Sequence, residues 1–475
     1  MHALGRHLAV VGFMGAGKST LAAELAMRLG RPFVDLDREI ERAAGSSVEE
    51  LFAERGEAGF RSLEEERALE LLGRGELSVV ALGGGAVGSE RTCAALAVHA
   101  FTLFVPVEPD IAWERVRGSG RPLARDEAGF RALHAERAPV YEAVADAIVS
   151  DPDDACLAAA GVHVEARALD KLGELVPGNG PIELVADVHV AGIHGVQAQL
   201  ALGDRDISLL EVPQGEAAKT PAQLERLWRA LRIGRDGIVV ALGGGSTSDL
   251  VGFAAATWAR GVDWVPVPTT LVGQVDAAIG GKTAIDLPAG KNLAGAFHWP
   301  VRVVADPLVL DTLPEAELRN GLAEVVKTGL LAGSPLWELL PREQVRRCAA
   351  FKAAVCLADP HDRGARTQLN LGHTFAHALE AAAGFAVSHG EAVALGLLAA
   401  LRLSGNDAGV VTVEQVLRPR PVSVDRERAW AALARDKKAA GGEPQLVLLE
   451  RPGEPRWGVE LPEADVRAAL DSLIA

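Results

Sequence analysis

The chain has 475 residues, of which 49% are hydrophobic and 24% charged, and its formal net charge is −16. Since a domain averages roughly 150 residues, this length predicts more than one domain, and the composition is typical of globular domains with large cores. The negative charge, together with the lack of any basic stripe, argues against a nucleic-acid partner.

The cysteines and the start of the chain indicate the compartment. Cys93, Cys156, Cys348 and Cys356 are widely spaced and form no CxxC pair, which is typical of a reducing environment. No apolar signal-peptide region follows the start, and no run of about twenty apolar residues predicts a membrane span. We therefore expect a soluble cytoplasmic protein without membrane association.

The first predicted element is an apolar strand, His7 to Val11, which leads into a glycine-rich loop. Residues 12–19 read GFMGAGKS, match G-x-x-x-x-G-K-[ST], and precede an amphipathic helix. In this context backbone N–H groups cradle phosphates, the lysine reaches the β- and γ-phosphates, and the hydroxyl ligates Mg²⁺. The residues assigned to this ATP site are Gly15, Ala16, Gly17, Lys18, Ser19 and Thr20.

A second predicted strand, Pro32 to Leu36, introduces two carboxylates. Alternation along a strand would put Asp35 and Asp37 on one side, one serving Mg²⁺ and the other an acceptor hydroxyl. Residues 59–61 (GFR) then precede a predicted helix from Ser62 to Leu72. A buried strand from Val79 to Leu82 ends in three glycines, and two later segments, RPL at 121–123 and RAPVY at 137–141, supply further arginines.

The order GxxGxGKST, DxD, FR, LGGG, RPL and RxPxY resembles shikimate kinase over residues 5–150. The resemblance implies ATP-dependent phosphorylation of shikimate, with Lys18 and Asp37 as catalytic residues, Ser19 and Asp35 on the Mg²⁺ side, and Arg121 over ATP. It also implies four shikimate contacts, and two arginines suit a carboxylate bidentately. These contacts are Asp37, Arg61, Gly84 and Arg137. The acidic segment SDPDD at 150–154 stands where the family usually has an arginine near the adenine.

Residues 151–161 predict a terminal helix of this domain or a linker, so we expect the first domain to span 1–160. Several short apolar runs then alternate with helical patterns, which is typical of a doubly wound α/β domain, here 161–310. One run, Ile238 to Leu242, leads into Gly243-Gly244-Gly245-Ser246 and a helix from Asp249. That arrangement suits a dinucleotide pyrophosphate, although its spacing is not GxGxxG.

The most informative stretch runs from Arg260 to Asn292. A predicted buried strand, Trp264 to Val267, is followed by Thr269 and Thr270. The glycine pair 280–281 and Gly290 would bring the backbone close to a ligand, and each precedes a lysine. Hydroxyls, one acid and two lysines around exposed backbone N–H groups predict a site for an anionic, polyhydroxylated ligand.

Residues 311–475 have mostly helical patterns and contain candidate metal ligands. Glu324 and Lys327 share a helix face by i,i+3 spacing, and His373 and His377 do so by i,i+4 spacing. A catalytic zinc takes three protein ligands and keeps one open position. Spacing alone nominates His373 and His377 together.

The ordered motifs GEAAKT, GGGSTSD, RGVDWVPVPTT, VDAAIGGKTAID and PAGKNLAGAF resemble 3-dehydroquinate synthase. This resemblance implies NAD- and metal-dependent conversion of 3-deoxy-D-arabino-heptulosonate 7-phosphate to 3-dehydroquinate and phosphate. The metal would be Zn²⁺, or another divalent ion such as Co²⁺, held by Glu324, His373 and His389. The implied catalytic residues are Lys282, Lys327 and His377.

The same resemblance implies the residues that line the cofactor and the substrate. The NAD contacts would be Asp187, Glu216, Lys219, Gly244, Gly245, Ser246, Asp249, Thr269, Thr270, Lys282, Lys291 and Thr312. The substrate contacts would be Arg260, Asp276, Asn292, Lys352, Arg366, Asn370, His377, Lys437 and Lys438.

We therefore predict a P-loop kinase domain with a parallel sheet, a doubly wound α/β NAD-binding domain, and a mostly helical metal- and substrate-binding domain at 311–475. The expected partners are small-molecule substrates and a second copy of the chain, in a dimer through the synthase half. Two alternatives remain at this point. One is a zinc-dependent polyol dehydrogenase fused to a small-molecule kinase, and the other is a chain with one degenerate, regulatory half.

Overall fold

The computed structural model describes residues 2–119, 123–124, 126–288, 290–384, 386–439 and 445–475, with the side chains of 435–439 excluded. The chain divides into two compact units, Met1–Gly161 and Val162–Ala475. Within the described ranges, no helix combines the length and apolar character that a membrane crossing requires.

The first unit is a five-stranded parallel sheet with helices, and its strand order is β2-β3-β1-β4-β5. The strands are β1 His7–Val11, β2 Phe33–Asp35, β3 Val79–Ala81, β4 Ala100–Phe104 and β5 Ala147–Ile148. The helices are α1 Lys18–Leu29, α2 Leu36–Ala44, α3 Val48–Leu72, α4 Glu90–His99, α5 Pro109–Val116, α6 Glu127–Val144 and α7 Pro152–Ala160. The predicted parallel sheet of a P-loop domain is confirmed.

Two local predictions in this unit were wrong. Strand β2 ends at Asp35, and Asp35 caps α2 by accepting a hydrogen bond from the Arg38 N–H. Asp37 therefore lies in the first turn of a helix, so strand alternation does not explain its position beside Asp35. Helix α3 begins at Val48, where Ser47 and Glu50 form a capping box, and it is kinked at Gly56, which has a non-helical φ of 68°. Its second part includes Arg61, so the helix there starts earlier than predicted.

The second unit begins with a four-stranded parallel sheet of order β10-β9-β7-β8. The strands in this part of the second unit, inside and outside that sheet, are β6 Val162–Val164, β7 Ile182–Asp187, β8 Ile207–Val212, β9 Ile238–Gly243, β10 Asp263–Pro268, β11 Lys282–Leu287, β12 Gly290–Phe297 and β13 Val303–Ala305. The helices are α8 Leu172–Leu175, α9 Val188–Val190, α10 Val196–Ala201, α11 Pro221–Ala230 and α12 Gly245–Thr257. Strands β11 and β12 form an antiparallel hairpin, and β13 pairs with β6 in parallel.

Both faces of this sheet are buried, as the doubly wound prediction requires. Along β9, Val240 and Leu242 belong to one apolar cluster, whereas Val239 and Ala241 belong to another. Because successive side chains of a strand point to opposite faces, the two clusters lie on opposite sides of the sheet. Helix α12 starts at Gly245, four residues earlier than the predicted start at Asp249.

The remainder of the second unit is mostly helical, as predicted. Its helices are α13 Glu315–Ala332, α14 Pro341–Ala358, α15 His373–Ala382, α16 His389–Leu403, α17 Asp407–Val416, α18 Arg426–Ala439 and α19 Glu463–Asp471. Strands β14 Leu446–Leu449 and β15 Pro455–Val459 pair antiparallel. Helices α13, α15 and α16 meet in one apolar core that includes Val326, Phe375 and Leu397.

Parallel topology decides where the polar loops gather. Strands β1, β2 and β3 end next to the glycine loop, Asp37 and the three glycines 83–85. In the other sheet, β7, β9 and β10 end at Asp187, at Gly243 and before Thr269. Since parallel strands have their carboxyl ends at one edge, each set of loops forms one crevice.

Candidate active sites

The glycine loop of the first unit opens directly into helix α1. Gly17, with φ of 90°, precedes the helix, and Lys18 is its first residue. Gly15 has φ of 81°, and a Cβ there would lie 2.9 Å from the Ala112 carbonyl oxygen, so only glycine fits this turn. A cavity of about 620 Å³ lies over the loop, and the predicted residues Gly15 to Thr20 line it.

Ser19 and Asp35 lie together at one side of this cavity. The Ser19 hydroxyl donates to the Asp35 carboxylate at 2.6 Å, and both residues line the cavity with Asp37. The Lys18 ammonium donates to the Phe13 carbonyl at 3.0 Å. A hydroxyl and a carboxylate beside a phosphate loop are the oxygen ligands that Mg²⁺ accepts.

A second cavity, of about 1020 Å³, contains the predicted acceptor-side residues Arg61, Gly84 and Arg137. Arg137 donates to the Gly84 carbonyl at 3.1 Å, and the Tyr141 hydroxyl donates to the same oxygen. Gly84 lines both cavities, so the acceptor and nucleotide regions adjoin there. Two guanidinium groups in one cavity can hold a carboxylate.

Glu64 is a residue of this cavity that the sequence analysis missed. It is 1% exposed and pairs with Arg61, three residues earlier on α3. A Cβ at Gly83 would collide with Glu64 Oε1 and lie 2.9 Å from Asp37 Oδ1, so both carboxylates approach this glycine. Burial raises the pKa of Glu64, although Arg61 opposes the shift. The i,i+3 spacing from Arg61 was the available signal.

The acidic segment after β5 caps a helix. The Asp151 side chain accepts from the Asp154 N–H at 2.9 Å at the start of α7, and Asp153 pairs with Arg28 at 2.6 Å. Ser150, Asp151 and Pro152 also line the nucleotide cavity, as does Arg115, which donates to the Gly15 carbonyl at 2.8 Å. Arg121, predicted to cover ATP, lies outside the described residues.

In the second unit, residues assigned to NAD converge on a buried lysine. The Lys219 ammonium donates to Asp249 at 2.8 Å and to the Asn292 side chain at 2.5 Å, and Lys291 pairs with Glu216 at 3.4 Å. Asp249 lies in α12, Lys291 and Asn292 lie in β12, and Glu216 lies in the short helical turn Gly215–Ala218, which Lys219 follows directly. Burial raises the pKa of Asp249 to about 6 despite the attraction of Lys219. Asn292, assigned to the substrate, contacts an NAD-assigned residue instead.

Other NAD-assigned residues lie at or after the carboxyl ends of the parallel strands, and Thr312 ends the short helical segment Pro307–Thr312. Gly244, Gly245 and Ser246 begin α12, and Thr270 accepts from the Gly273 N–H at 3.1 Å. Thr269 is buried. The Asp187 carboxylate accepts from two backbone N–H groups of α9, and Thr312 contacts His194 at 2.9 Å.

A buried charge network connects the sheet to helices α13 and α14. The Lys327 ammonium contacts Asp276 at 3.0 Å and also Glu324, while Lys352 pairs with the other oxygen of Asp276. Lys327 and Glu324 are each 1% exposed. Burial raises the pKa of Asp276, but Lys327 and Lys352 outweigh burial and lower it. The carboxylates of Asp276 and Glu324 are therefore both ionised beside the ammonium of Lys327.

Glu324 joins two histidines in the only three-residue group of close metal-ligand atoms among the described residues. Single ligand atoms of Glu324, His373 and His389 all lie within 4.8 Å of one another. The distances to Glu324 Oε1 are 3.4 Å from His373 Nε2 and 3.1 Å from His389 Nε2. One carboxylate and two imidazoles make a donor set that suits zinc.

His377 lies beside this group but does not belong to it. It is one helical turn after His373 on α15, and the two rings meet edge to face with centroids 5.6 Å apart. Burial and neighbouring His373 lower the pKa of His377 to about 4. The pair His373 and His377, suggested by spacing alone, is therefore not the set of ligand atoms that lie together in the fold.

The glycine pair 280–281 packs against protein rather than opening toward a ligand. Gly280 has φ of +94°, and a Cβ there would collide with Cys356 Sγ and lie 2.6 Å from Arg366 Nη2. Arg366 is 2% exposed and donates to the Gly280 carbonyl at 2.9 Å. The loop thus holds a guanidinium in place while Lys282, next in the chain, pairs with Asp362.

Several other substrate assignments lie away from these contacts. Arg260 is exposed with φ of 69°, and no described contact joins it to the buried charge network. Asn370 is exposed at the end of the short helical segment Ala365–Asn370. Lys437 and Lys438 are in α18, but their side chains lie outside the described residues.

Family models match three successive parts of the chain. Residues 14–162 match shikimate kinase, 209–320 match 3-dehydroquinate synthase N-terminal, and 321–439 match 3-dehydroquinate synthase C-terminal. The recognised kinase–synthase fusion is confirmed.

Curated relatives and a solved structure agree with the synthase match. The 3-dehydroquinate synthase of Bordetella pertussis is 40% identical over 342 residues, covering 65% of this chain and 95% of its own length. That of Symbiobacterium thermophilum is 40% identical over 349 residues, covering 63% and 96%. The structure of 2-epi-5-epi-valiolone synthase from Streptomyces hygroscopicus, with NAD⁺ and Zn²⁺ bound, has a TM-score of 0.59 at 26% identity, covering 66% and 96%.

These matches do not favour the polyol dehydrogenase or the degenerate-half alternative. A transferase domain is followed by a lyase domain in one polypeptide. The chain belongs to the 3-dehydroquinate synthase family and carries a shikimate kinase domain ahead of its synthase part.

Proposed function

We propose that the second unit converts 3-deoxy-D-arabino-heptulosonate 7-phosphate to 3-dehydroquinate and phosphate, with NAD and one divalent metal as cofactors. The observation that carries this proposal is the convergence of Glu324, His373 and His389 beside Lys327 and Asp276. Zinc is supported by the donor set and by the Zn²⁺ and NAD⁺ named for the valiolone synthase relative, and Co²⁺ is the second choice.

The residues fit a metal and a dinucleotide on physical grounds. Both histidines direct a ring nitrogen toward the same buried carboxylate oxygen, and helix α12 begins with Gly244, Gly245 and Ser246, where backbone N–H groups suit a pyrophosphate. When bound, NAD would accept and return a hydride while the metal polarises the alcohol oxygen that is oxidised. NAD is not consumed, and inorganic phosphate leaves.

The chain's own residues would bind and orient the sugar acid. Lys327 and Lys352 hold Asp276 ionised at the site, and His377 is available to hold or move a proton. Fixed cations neutralise the phosphate and carboxylate, which brings the reacting groups together without further ordering. We assign that charge-neutralising role to Lys282, Lys352 and Arg366, together with Arg260, Lys437 and Lys438. Asn292 and Asn370 would add neutral hydrogen bonds to the substrate.

For the first unit we propose ATP- and Mg²⁺-dependent phosphorylation of shikimate. Lys18 and the loop N–H groups would hold the phosphates, and Ser19 and Asp35 would hold Mg²⁺. Asp37 would accept the shikimate hydroxyl proton, while Arg61 and Arg137 hold the carboxylate near Gly84. The contact between Ser19 and Asp35 and the two adjoining cavities support this assignment.

We further propose domain boundaries near residues 160 and 310, a homodimer through the synthase half, and a cytoplasmic location. The separation of the chain into two compact units after Gly161 supports the first boundary. All four cysteines are free thiols and three are buried, which suits a reducing compartment.

The experiment is to assay the purified full chain for both reactions. We expect phosphate release from the sugar acid that requires NAD and stops with a chelator, and ADP formation that requires shikimate and Mg²⁺. Net NADH accumulation with a polyol, or the absence of phosphate release from the metal-loaded protein, would contradict the synthase proposal. Absence of shikimate-dependent ADP formation would contradict the kinase proposal alone.

A further inference from the structure

A buried carboxylate, Glu380, lies beside the three proposed metal ligands. It is 4% exposed on helix α15, among apolar residues of the same helix such as Ala378, Leu379 and Ala382. A buried carboxylate is costly unless a partner compensates for lost water. The hydrogen bond that the structure gives Glu380 joins its Oε1 to His389 Nδ1 at 3.2 Å.

His389 stands between two carboxylates. Its Nε2 lies 3.1 Å from Glu324 Oε1, on the side where the three ligand atoms converge, and its Nδ1 faces Glu380. The side chain is 38% exposed at the first position of α16, so packing restrains the ring on one side only. An N–H at Nδ1 donated to Glu380 leaves the lone pair on Nε2, on the side where the three ligand atoms converge and could hold an ion.

His373 has the same arrangement with a different acceptor. Its Nδ1 lies 3.2 Å from the Leu371 carbonyl oxygen, which can only accept, so Nδ1 carries the hydrogen and Nε2 faces Glu324. Both histidines thus have an acceptor behind the ring. For His373 the backbone supplies it, and for His389 the side chain of Glu380 does.

We infer that Glu380 is the positioning residue of the metal site, and that its carboxylate fixes the tautomer and ring orientation of His389. This inference rests on the proposed metal dependence of the synthase unit. Ligating histidines generally donate their other ring N–H to such a partner, and the loss of that partner weakens metal binding by about 10- to 100-fold. Helix α15 then supplies one ligand, His373, and also Glu380, seven residues later on the same face, which supports the second ligand, His389.

The test measures zinc affinity of the chelator-treated full chain by competition with a chromophoric chelator. We expect Glu380→Ala to weaken zinc binding about 10- to 100-fold, and Glu380→Gln, which keeps an acceptor but no charge, to weaken it less. The d–d absorption bands of the Co²⁺-substituted protein should shift in the same order, because the geometry around His389 changes.

The matched control is Glu183→Gln. Glu183 is also a buried glutamate of the second unit, 1% exposed, but it bonds to Ser208 and to the Arg232 N–H, in the parallel sheet. Its variant should keep the zinc affinity and the Co²⁺ bands of the parent. Circular dichroism in the presence of chelator separates a folding defect from a metal defect, and Glu380→Gln decides the matter if Glu380→Ala does not fold.

Three outcomes are distinguishable. The inference is supported if zinc binding is weakened more in Glu380→Ala than in Glu380→Gln and is unchanged in Glu183→Gln. Parent-like zinc affinity and Co²⁺ bands in a folded Glu380→Gln and Glu380→Ala protein overturn it and leave the synthase proposal standing. If the parent chain itself binds neither Zn²⁺ nor Co²⁺, the inference and the metal dependence of the proposed function fall together.

Discussion

Lys219 and Lys327 are buried lysines in the second unit, and each has acidic neighbours that balance its charge. Lys219 contacts Asp249, and Lys327 contacts both Glu324 and Asp276. For both lysines burial lowers the pKa, but the carboxylates outweigh burial and raise it. Each lysine and its acidic neighbours thus hold fixed charges where small anionic ligands are proposed to bind, at the cost of desolvating several ions.

Asp249 gives the residue-scale prediction. Burial raises the pKa of its carboxyl from the ordinary 3.8 to about 6, despite the attraction of Lys219, so the folded state holds this proton more tightly. Its stabilising effect is therefore present below about pH 4 and is lost as pH rises through about 6. Asp249→Asn cannot titrate at this position, so the unfolding free energy of the variant minus that of the parent should rise by up to about 3 kcal/mol between about pH 4 and pH 6.

The measurement is the unfolding free energy of parent and Asp249→Asn protein in urea across this pH range. Groups that do not interact with position 249 cancel in the difference, so the slope reports Asp249 and the charges coupled to it, Lys219 first. If the difference in unfolding free energy between variant and parent does not change with pH, the pKa of Asp249 is not raised by folding. If the difference changes with pH in the opposite direction, folding lowers that pKa.

At the scale of elements, the loop before β11 is shaped by close packing. Gly280→Ala adds a Cβ at φ of +94° against Cys356 and Arg366, so we expect destabilisation by about 2–4 kcal/mol and displacement of the Arg366 guanidinium. Gly192→Ala is the control, because its Cβ would meet nothing within 4 Å, and it should change stability by about 0.5 kcal/mol at most. Urea unfolding measures both, and equal stabilities of the two variants would contradict the packing argument.

Helix α7 gives a second prediction at this scale. If the acidic segment serves as a helix cap, Asp151→Ala should destabilise the first unit by about 1 kcal/mol, and Asp151→Ser, which keeps a capping oxygen, should recover most of the loss. Shikimate kinase assays of the Ser variant should give an unchanged KM for ATP. A large rise in that KM would instead assign Asp151 to nucleotide binding.

Local patterns were enough to predict many elements but not the partners that tertiary packing chooses. The strand, glycine loop and helix around Lys18 were predictable because the glycine motif is contiguous in sequence. The apolar strand before it and the amphipathic helix after it are also the elements that this motif requires. Asp37 was misplaced because a three-residue strand ends in its own helix cap at Asp35. Glu64 and Glu380 were missed because a glutamate on a helix normally faces water, and only the fold buries these two.

At the scale of the whole molecule, each of the two units contains an apolar cluster of its own. The apolar cluster around Phe13 and Phe60 contains residues of the first unit alone, and the cluster around Phe375 contains residues of the second. We therefore expect Lys18→Ala to abolish shikimate phosphorylation and leave phosphate release from the sugar acid within about twofold, since the proposed residues of each site come from one unit and independent sites act additively. Coupled steady-state assays on one preparation check this, and a parallel loss of both activities would contradict functional independence.

The central claim is that residues from three helices, Glu324 on α13, His373 on α15 and His389 on α16, hold one ion in the second unit. The most direct measurement is a zinc titration of the chelator-treated full chain and its Glu324→Ala variant, with phosphate release and shikimate phosphorylation followed in parallel. We expect one tight equivalent of zinc that restores phosphate release in the parent, the loss of that equivalent in the variant, and unchanged shikimate phosphorylation in both. Undiminished zinc binding by the variant, or phosphate release that does not depend on metal, would contradict it.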